Sequence, residues 1–196
     1  MEKQLKKSDC YTIRQASVED APMIAEAIIM AVGEDTVKRF CRGDYRAMFE
    51  EMARMELSQY SYRNALVAEV DGVAAGAIVG YDGARLHELR EPVFEVMCKY
   101  NGERPVIAEE TGPGEFYLDS MGVLPQFRGR GIGGSLLAAL RDKAIAEGHE
   151  CTGLLVDFDN PGAERLYHSL GFRRVEVKDF LGHKMWHMQY RPNPKI

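Results

Sequence analysis

The sequence predicts an α+β fold in which helices flank a mixed, mostly antiparallel sheet. Three observations carry that prediction. Apolar periodicity alternates along the chain in the order β-α-α-β-β-(α)-β-α-β-α-β-β. Asp71-Gly72 and Leu181-Gly182 each separate two strand-like runs, as tight hairpin turns do. A Gly-rich segment, Gln126 to Gly134, sits between a strand-like run and an amphipathic helical run.

The elements follow in order. Cys10 to Gln15 reads as the first strand. Ser17-Val18-Glu19-Asp20 resembles an N-cap with an acidic first turn, opening a helix with the stripe Met23, Ile24, Ala27, Ile28 and Ala31. A second helix is expected from Asp44 to Leu57, with Met48, Phe49, Met52 and Met55 in the core. Leu66 to Val70 and Val73 to Tyr81 form a hairpin, because Asp71-Gly72 suits a type I′ turn. Leu86 to Tyr100 is helical, with Pro92 expected to interrupt it and mark N1 of a shorter helix. Asn101 to Gly114 reads as a loop. Phe116 to Val123 is a strand, Ser135 to Glu147 a helix, Leu154 to Val156 a buried strand and Pro161 to Leu170 a helix. Arg173 to Phe180 and Lys184 to Tyr190 close the fold as a hairpin. The tail from Arg191 is expected to be loose.

The Gly-rich segment carries the chemistry. A turn that opens a helix leaves backbone N–H groups unpaired and pointing forward, and the helix dipole adds positive character there. Such a turn seats phosphate. Glycines let the backbone approach an anion, and Arg128 and Arg130 add charge. A structural turn with solvated arginines is the competing reading. The strand before, the helix after and two internal arginines favour an anion site. A P-loop fits badly, because no Lys follows the glycines and no Ser/Thr sits in the Mg²⁺ position. A dinucleotide fingerprint fits poorly, because no repeated βαβ units precede the turn.

The spacing Gln126-x-x-Gly129-x-Gly131, with Pro125 upstream and Leu136-Leu137 downstream, resembles the coenzyme A loop of the GNAT acetyltransferase superfamily. A second stretch resembles that family's other signature: Asn160, Ala163, Leu166-Tyr167 and Gly171-Phe172, after the strand Leu154 to Val156. Together the two cover Phe116 to Phe172.

The resemblance implies acetyl-CoA as co-substrate, no metal, and acetyl transfer to a primary amine of a small molecule or peptide by direct attack on the thioester. It implies that the CoA diphosphate sits on the backbone of Arg128, Gly129, Arg130, Gly131, Ile132, Gly133 and Gly134. It also implies a V-shaped splay between the parallel strands Leu118–Val123 and Leu154–Val156, entered by the pantetheine arm. Main-chain contacts to that arm are expected at Met121 and Val123, with Gly122 giving close approach, a bulge or mere packing. A strand N–H near Met121 is a candidate oxyanion donor.

Tyr167 is the candidate acid for the leaving thiolate, the alternative being a core tyrosine anchored by its hydroxyl. His168 rivals it but faces another side of the helix. Asn160 either bonds CoA or caps the helix that starts at Pro161. Asp119 is the candidate general base, its pKa raised by burial; the alternative is a strand-end Asp bonded to a turn or to Arg128. Glu109, Glu110 and Glu115 are further candidates, and a water wire could replace a dedicated base. Glu34, Asp35, Asp44, Tyr45, Tyr60 and Tyr62 could meet a cationic amine.

Residues 1–196 read as one domain: 10–83 carry the first strand, helices and hairpin, 115–172 the two signatures, and 173–190 the last hairpin. Residues 84–114 exceed what a minimal family member needs, and read as an insertion beside the acceptor cleft or as a surface excursion. A net charge of -5 argues against general nucleic-acid binding. No apolar run approaches membrane-spanning length. Met1 to Lys7 lack the apolar segment of a secretory signal. Cys10, Cys41, Cys98 and Cys151 are scattered and form no Cys-x-x-Cys pair, which suits free thiols in a cytoplasm. His183 and His187 lie about 13 Å apart on a strand, too far to share a metal. The edge of the last hairpin is compatible with a homodimer. A non-catalytic CoA-binding sensor and a nucleotide-binding domain are the competing functions.

Overall fold

The computed structural model describes residues 10–192. The reading of Met1 to Lys7, and of the tail beyond residue 192, lies outside the described residues. Seven strands form one sheet: β1 (Tyr11–Gln15), β2 (Ala65–Val70), β3 (Val73–Asp82), β4 (Phe116–Val123), β5 (Thr152–Asp157), β6 (Arg173–Phe180) and β7 (His183–Tyr190). Their spatial order is β1-β2-β3-β4-β5-β7-β6. Every neighbouring pair is antiparallel except β4 and β5. The hairpin turns fall where the sequence puts them, with Asp71 and Gly72 at φ 50° and 79° and Leu181 and Gly182 at 52° and 83°. Positive φ at both central residues is what a type I′ connection needs.

Among the described residues six helices cover the two faces: α1 (Ala21–Val32), α2 (Glu34–Phe40), α3 (Tyr45–Arg54), α4 (Leu86–Asn101), α5 (Ile132–Ala146) and α6 (Pro161–Ser169). The central strands are buried on both sides, and alternate residues feed two cores. Ala65 and Val67 of β2 pack with α1, α3 and α4, while Leu66, Ala68 and Val70 join the cluster that contains α5. Strand periodicity places successive side chains on opposite faces, so one sheet separates the two layers.

Five expectations change. Ser17 precedes a 3₁₀ turn at Val18–Asp20, and α1 starts at Ala21, because Asp20 turns back to accept the Ser17 N–H and pair with Arg14. Ala31, placed in the α1 stripe, is exposed near the helix end. α2 is an additional helix, cut off from α1 by Gly33 at φ 86°; at seven residues it is too short to give a clear periodic signal. Pro92 does not restart a helix, since α4 runs through it from Leu86 to Asn101. The helix tolerates the lost N–H because tertiary contacts hold that turn: Leu89, Arg90 and Val93 are buried, and the Leu89 carbonyl accepts the Gln59 N–H at 2.9 Å. Asp44 caps α3 through Ala47 N–H at 3.0 Å, and the helix ends at Arg54, before the expected Leu57.

Candidate active site

β4 and β5 stay together only at their starts. Phe116 pairs with Thr152 and Tyr117 with Gly153; beyond these no register partner joins them. The strands therefore diverge from Leu118 and Leu154 onward, where the sequence resemblance implies the splay. β4 also carries a bulge. Val79 of β3 faces Ser120 while the next residue, Gly80, faces Leu118, so Asp119 is the extra residue. A bulge re-aims the side chains around it. Phe116 and Leu118 pack on the α5 side before it, and Met121 and Val123 do so after it, which a regular strand would not allow. The backbone parity shifts with them. Leu124 N–H bonds Ala75 O on β3 at 2.9 Å, so Met121 and Val123 turn their N–H and C=O toward the gap. Gly122 makes no bulge. A Cβ there would stand 2.7 Å from Ala27 Cα and 2.6 Å from Met30 Cε, so it is a packing glycine under α1.

The bulge turns Asp119 into a polar network. Its Oδ2 accepts from Gln59 Nε2 at 3.0 Å and from the Tyr81 hydroxyl at 3.2 Å, and its Oδ1 from Ser120 Oγ at 2.7 Å. Glu110 accepts from the same Gln59 and Tyr81 groups at 2.8 and 2.7 Å, and is ion-paired with buried Arg90. Burial, and then the neighbouring Glu110 charge, push the Asp119 carboxyl up to about 6. The bonds from Ser120 and Gln59, and the Arg90 charge, hold back part of that rise. Asp119 has no bond to Arg128, which instead donates Nε to Val123 O at 2.9 Å.

Tyr167 approaches from the other side of the gap, on α6. Its hydroxyl makes no hydrogen bond to protein among the described residues, so it is not the anchored core tyrosine of the alternative reading. Burial pushes its phenol up to about 12. Asp119, Met121, Leu155 and Tyr167 line one small notch between the diverging strands. His168 points elsewhere, bonding Phe172 O at 3.1 Å and Glu164 at 3.3 Å. Asn160 caps α6, accepting Ala163 N–H at 3.1 Å.

At the start of α5, Gly129 and Gly131 have φ 78° and 81°, a conformation that favours glycine. The first helical bond is Ser135 N–H to Gly131 O at 3.1 Å. The N–H groups of Ile132, Gly133 and Gly134 precede it and have no intrahelical acceptor. A Cβ at Gly129 would meet nothing within 4 Å, so the turn is open in front.

The acetyltransferase (GNAT) family profile matches residues 32–172. The chain belongs to the GNAT acetyltransferase family. Among relatives of this GNAT protein, "Acetyltransferase ECA0875" of Pectobacterium atrosepticum is 32% identical over 112 residues, 57% of this chain and 58% of that one. The chain thus aligns with little more than half of that curated relative's length. A solved acetyltransferase structure is 37% identical with a TM-score of 0.78, covering 92% of this chain and 98% of that one. An N-acetyltransferase from Staphylococcus aureus Mu50 is 26% identical with a TM-score of 0.78, covering 91% and 100%. This chain therefore has the family assignment of an acetyltransferase. Its open helix start and its strand gap suit a molecule with a diphosphate at one end and an amide-bearing arm at the other.

In this GNAT chain the gap opens into a cavity of about 330 Å³ lined by α1 to α4, β4, β5 and the β6–β7 turn. Residues from 84–114 form part of its wall, including Arg90, Val93, Phe94, Met97, Ile107 and Glu110. Of the acceptor candidates, Tyr60 lines the cavity. The others do not. Asp44 caps α3, Tyr45 bonds Glu34 at 2.5 Å on the exposed face, and Asp35 and Tyr62 lie outside the lining. Glu109 is exposed beside His87, and Glu115 is buried under His187, Thr111 and Gln189. Burial raises the Glu115 pKa, but those bonds outweigh it and hold the carboxyl below its ordinary range. Gln59, Tyr81 and Arg90 are the partners that sequence reasoning missed.

Among the described residues no cluster of His, Cys, Asp or Glu is placed to hold a metal. His183 pairs with Asp157, and His187 with Glu115 and Glu176. Among them, too, no helix is long and apolar enough to cross a membrane.

Proposed function

We propose that this chain is an N-acetyltransferase that delivers an acetyl group to a primary amine, with Asp119 as general base and Tyr167 as general acid. One observation carries the reading: Asp119 and Tyr167, from opposite sides of the strand gap, line the same notch. Acetyl-CoA, when bound, supplies the acetyl group as a thioester. Gly129, Gly131, Ile132, Gly133 and Gly134 hold the diphosphate through backbone N–H groups, with Arg128 and Arg130 adding charge. Met121 offers its N–H and C=O along the gap, and its N–H stabilises negative charge on the carbonyl oxygen. Val123 presents its edge in the same direction, with its carbonyl bonded by Arg128. Asp119 takes a proton from the ammonium, which near neutral pH requires its carboxylate form. Tyr167 gives its hydroxyl proton to the departing thiolate sulfur. Asn160 fixes the start of α6 and so the position of Tyr167. Asp119 is better suited to the proton step than Glu110, whose charge is already matched by Arg90.

Two measurements test this. Thiol release from acetyl-CoA across a panel of primary amines should reveal transfer. Thermal shift should show stabilisation by CoA and acetyl-CoA, because a ligand specific to the native state raises its apparent stability. Binding without transfer to any amine would make the chain a CoA sensor and overturn the catalytic roles.

A further inference from the structure

The chemistry of the acceptor cavity's walls narrows the amine. We propose that the acceptor is a monoamine on a compact apolar body, a short alkylamine or arylalkylamine, and that diamines and polyamines are rejected. The proposal rests on the acetyl-transfer reading and adds the substrate class.

The first argument is a count of usable charge. Three carboxylates line the cavity: Glu110, Asp119 and Asp157. Glu110 is ion-paired with Arg90, while Asp157 is partly exposed, lies 2.7 Å from the His183 ring and accepts the Asp159 N–H at 2.9 Å. Asp119 has only neutral partners, Gln59, Tyr81 and Ser120. Away from the partly exposed Asp157, Asp119 is therefore the one lining carboxylate open to an ammonium, at the mouth of the strand gap. A second ammonium deeper in the cavity would lose its water with no partner, which is unfavourable.

The second argument is the wall itself. Away from Asp119 the cavity is faced by Met48 and Phe49 of α3, Val93, Phe94 and Met97 of α4, and Ile107. These side chains reward an apolar body, and the methionines adapt to bodies of different shape. The third is the charge at the far end. Guanidiniums of Arg90 and Arg104 lie 5.9 and 4.8 Å from the centre of the Phe94 ring, and each is already paired with a carboxylate, Arg90 with Glu110 and Arg104 with Glu91, so this end offers an ammonium no free negative charge. The remaining polar groups of the wall include the hydroxyls of Tyr60 and Tyr117, which make no hydrogen bond to protein among the described residues and carry no charge. Size agrees: about 330 Å³ must also admit the thioester end, which leaves room for a small molecule.

The test uses purified protein, acetyl-CoA and a graded amine series read by thiol release. Butylamine, pentylamine and hexylamine should rise in kcat/KM by about fourfold per methylene until the cavity is filled. The decisive pair is pentylamine against 1,4-diaminobutane, which differ by a methyl exchanged for an ammonium. Pentylamine should be favoured by roughly a hundredfold. Ile107→Asp, which places a carboxylate in the wall on a loop, should narrow that ratio by about tenfold or more. A diamine used as well as pentylamine, a flat alkyl series, or a ratio unmoved by Ile107→Asp would overturn the inference and leave acetyl transfer standing. No thiol release with any amine, despite stabilisation by acetyl-CoA, would overturn the acetyl-transfer reading and this inference with it.

Discussion

Asp119 and Glu110 compete for the same two donors, and Glu110 holds both more closely. The Tyr81 hydroxyl lies 2.7 Å from Glu110 and 3.2 Å from Asp119; Gln59 Nε2 lies 2.8 and 3.0 Å away. A phenol has one proton to give, so it can serve only one carboxylate at a time. Glu110 also has the Arg90 guanidinium. The less well satisfied carboxylate is the one that attracts a proton, and that is the one on the open side of the network.

The first prediction is the pH profile. With Asp119 pushed up to about 6, kcat/KM should fall below that pH as the base is protonated, with an acid limb of unit slope. Asp119→Asn should lower kcat/KM by roughly a hundredfold or more and abolish that limb. Stability should move the other way. The folded pKa lies above that of the unfolded chain, so the unfolded chain loses the proton first as pH rises. Wild-type protein therefore forfeits stability between about pH 4 and 6, and Asp119→Asn should be more stable at pH 8 by on the order of 2 kcal/mol. Urea denaturation at pH 4 and pH 8 checks the sign.

The second prediction separates the two neighbours that tune Asp119. Glu110→Gln removes a negative charge, so the acid limb should shift to lower pH. Arg90→Met removes a positive one, so the limb should shift to higher pH. Each strands a partner in a buried ion pair and should cost about 3 kcal/mol of stability. Limbs that fail to move in opposite directions would show that Glu110 and Arg90 do not set the pKa of the base.

The third concerns Tyr167. Its phenol, held up to about 12, stays neutral across the usual assay range, so no alkaline limb below about pH 10 should come from it. Tyr167→Phe should lower kcat by roughly tenfold to a hundredfold while CoA affinity changes by less than about twofold. Because the hydroxyl has no protein partner among the described residues, the variant should stay within about 0.5 kcal/mol of wild-type stability. Equal losses in kcat and CoA binding would contradict an acid role.

Local chemistry made much of this legible in the sequence. Asp71-Gly72 and Gly129-x-Gly131 announce their own backbone conformations, and the strand and helix flanking the second pair announce an anion seat. The Asp119 bulge does not announce itself, since it arises from register against Val79 and Gly80, about forty residues away in sequence. Gln59, Tyr81 and Arg90 were illegible for a similar reason. Each reads alone as an ordinary loop, strand or helix residue, and only the fold gathers them around two carboxylates. Pro92 misled because local propensity was outweighed by the burial of its own turn of α4.

The last prediction follows from Gly122, where a close approach decides the residue. α1 crosses β4 so near that a Cβ would come within 2.7 Å of Ala27 Cα and 3.1 Å of Ala27 O, both backbone atoms. Met30 Cε, at 2.6 Å, is the end of a flexible side chain and can move, but the helix backbone cannot do so cheaply. Gly122→Ala should therefore push α1 away from β4 and cost about 1–3 kcal/mol in urea denaturation. Met30 and Ala31 at the end of α1 line the cavity, and Met121 and Val123 flank the glycine. The same displacement should raise KM for the amine by more than it raises KM for acetyl-CoA. Met30→Ala in the Gly122→Ala background, which clears the side chain and leaves the helix backbone in place, should recover only a small part of the lost stability. Full recovery would mean that the methionine, and not the helix backbone, enforces the glycine.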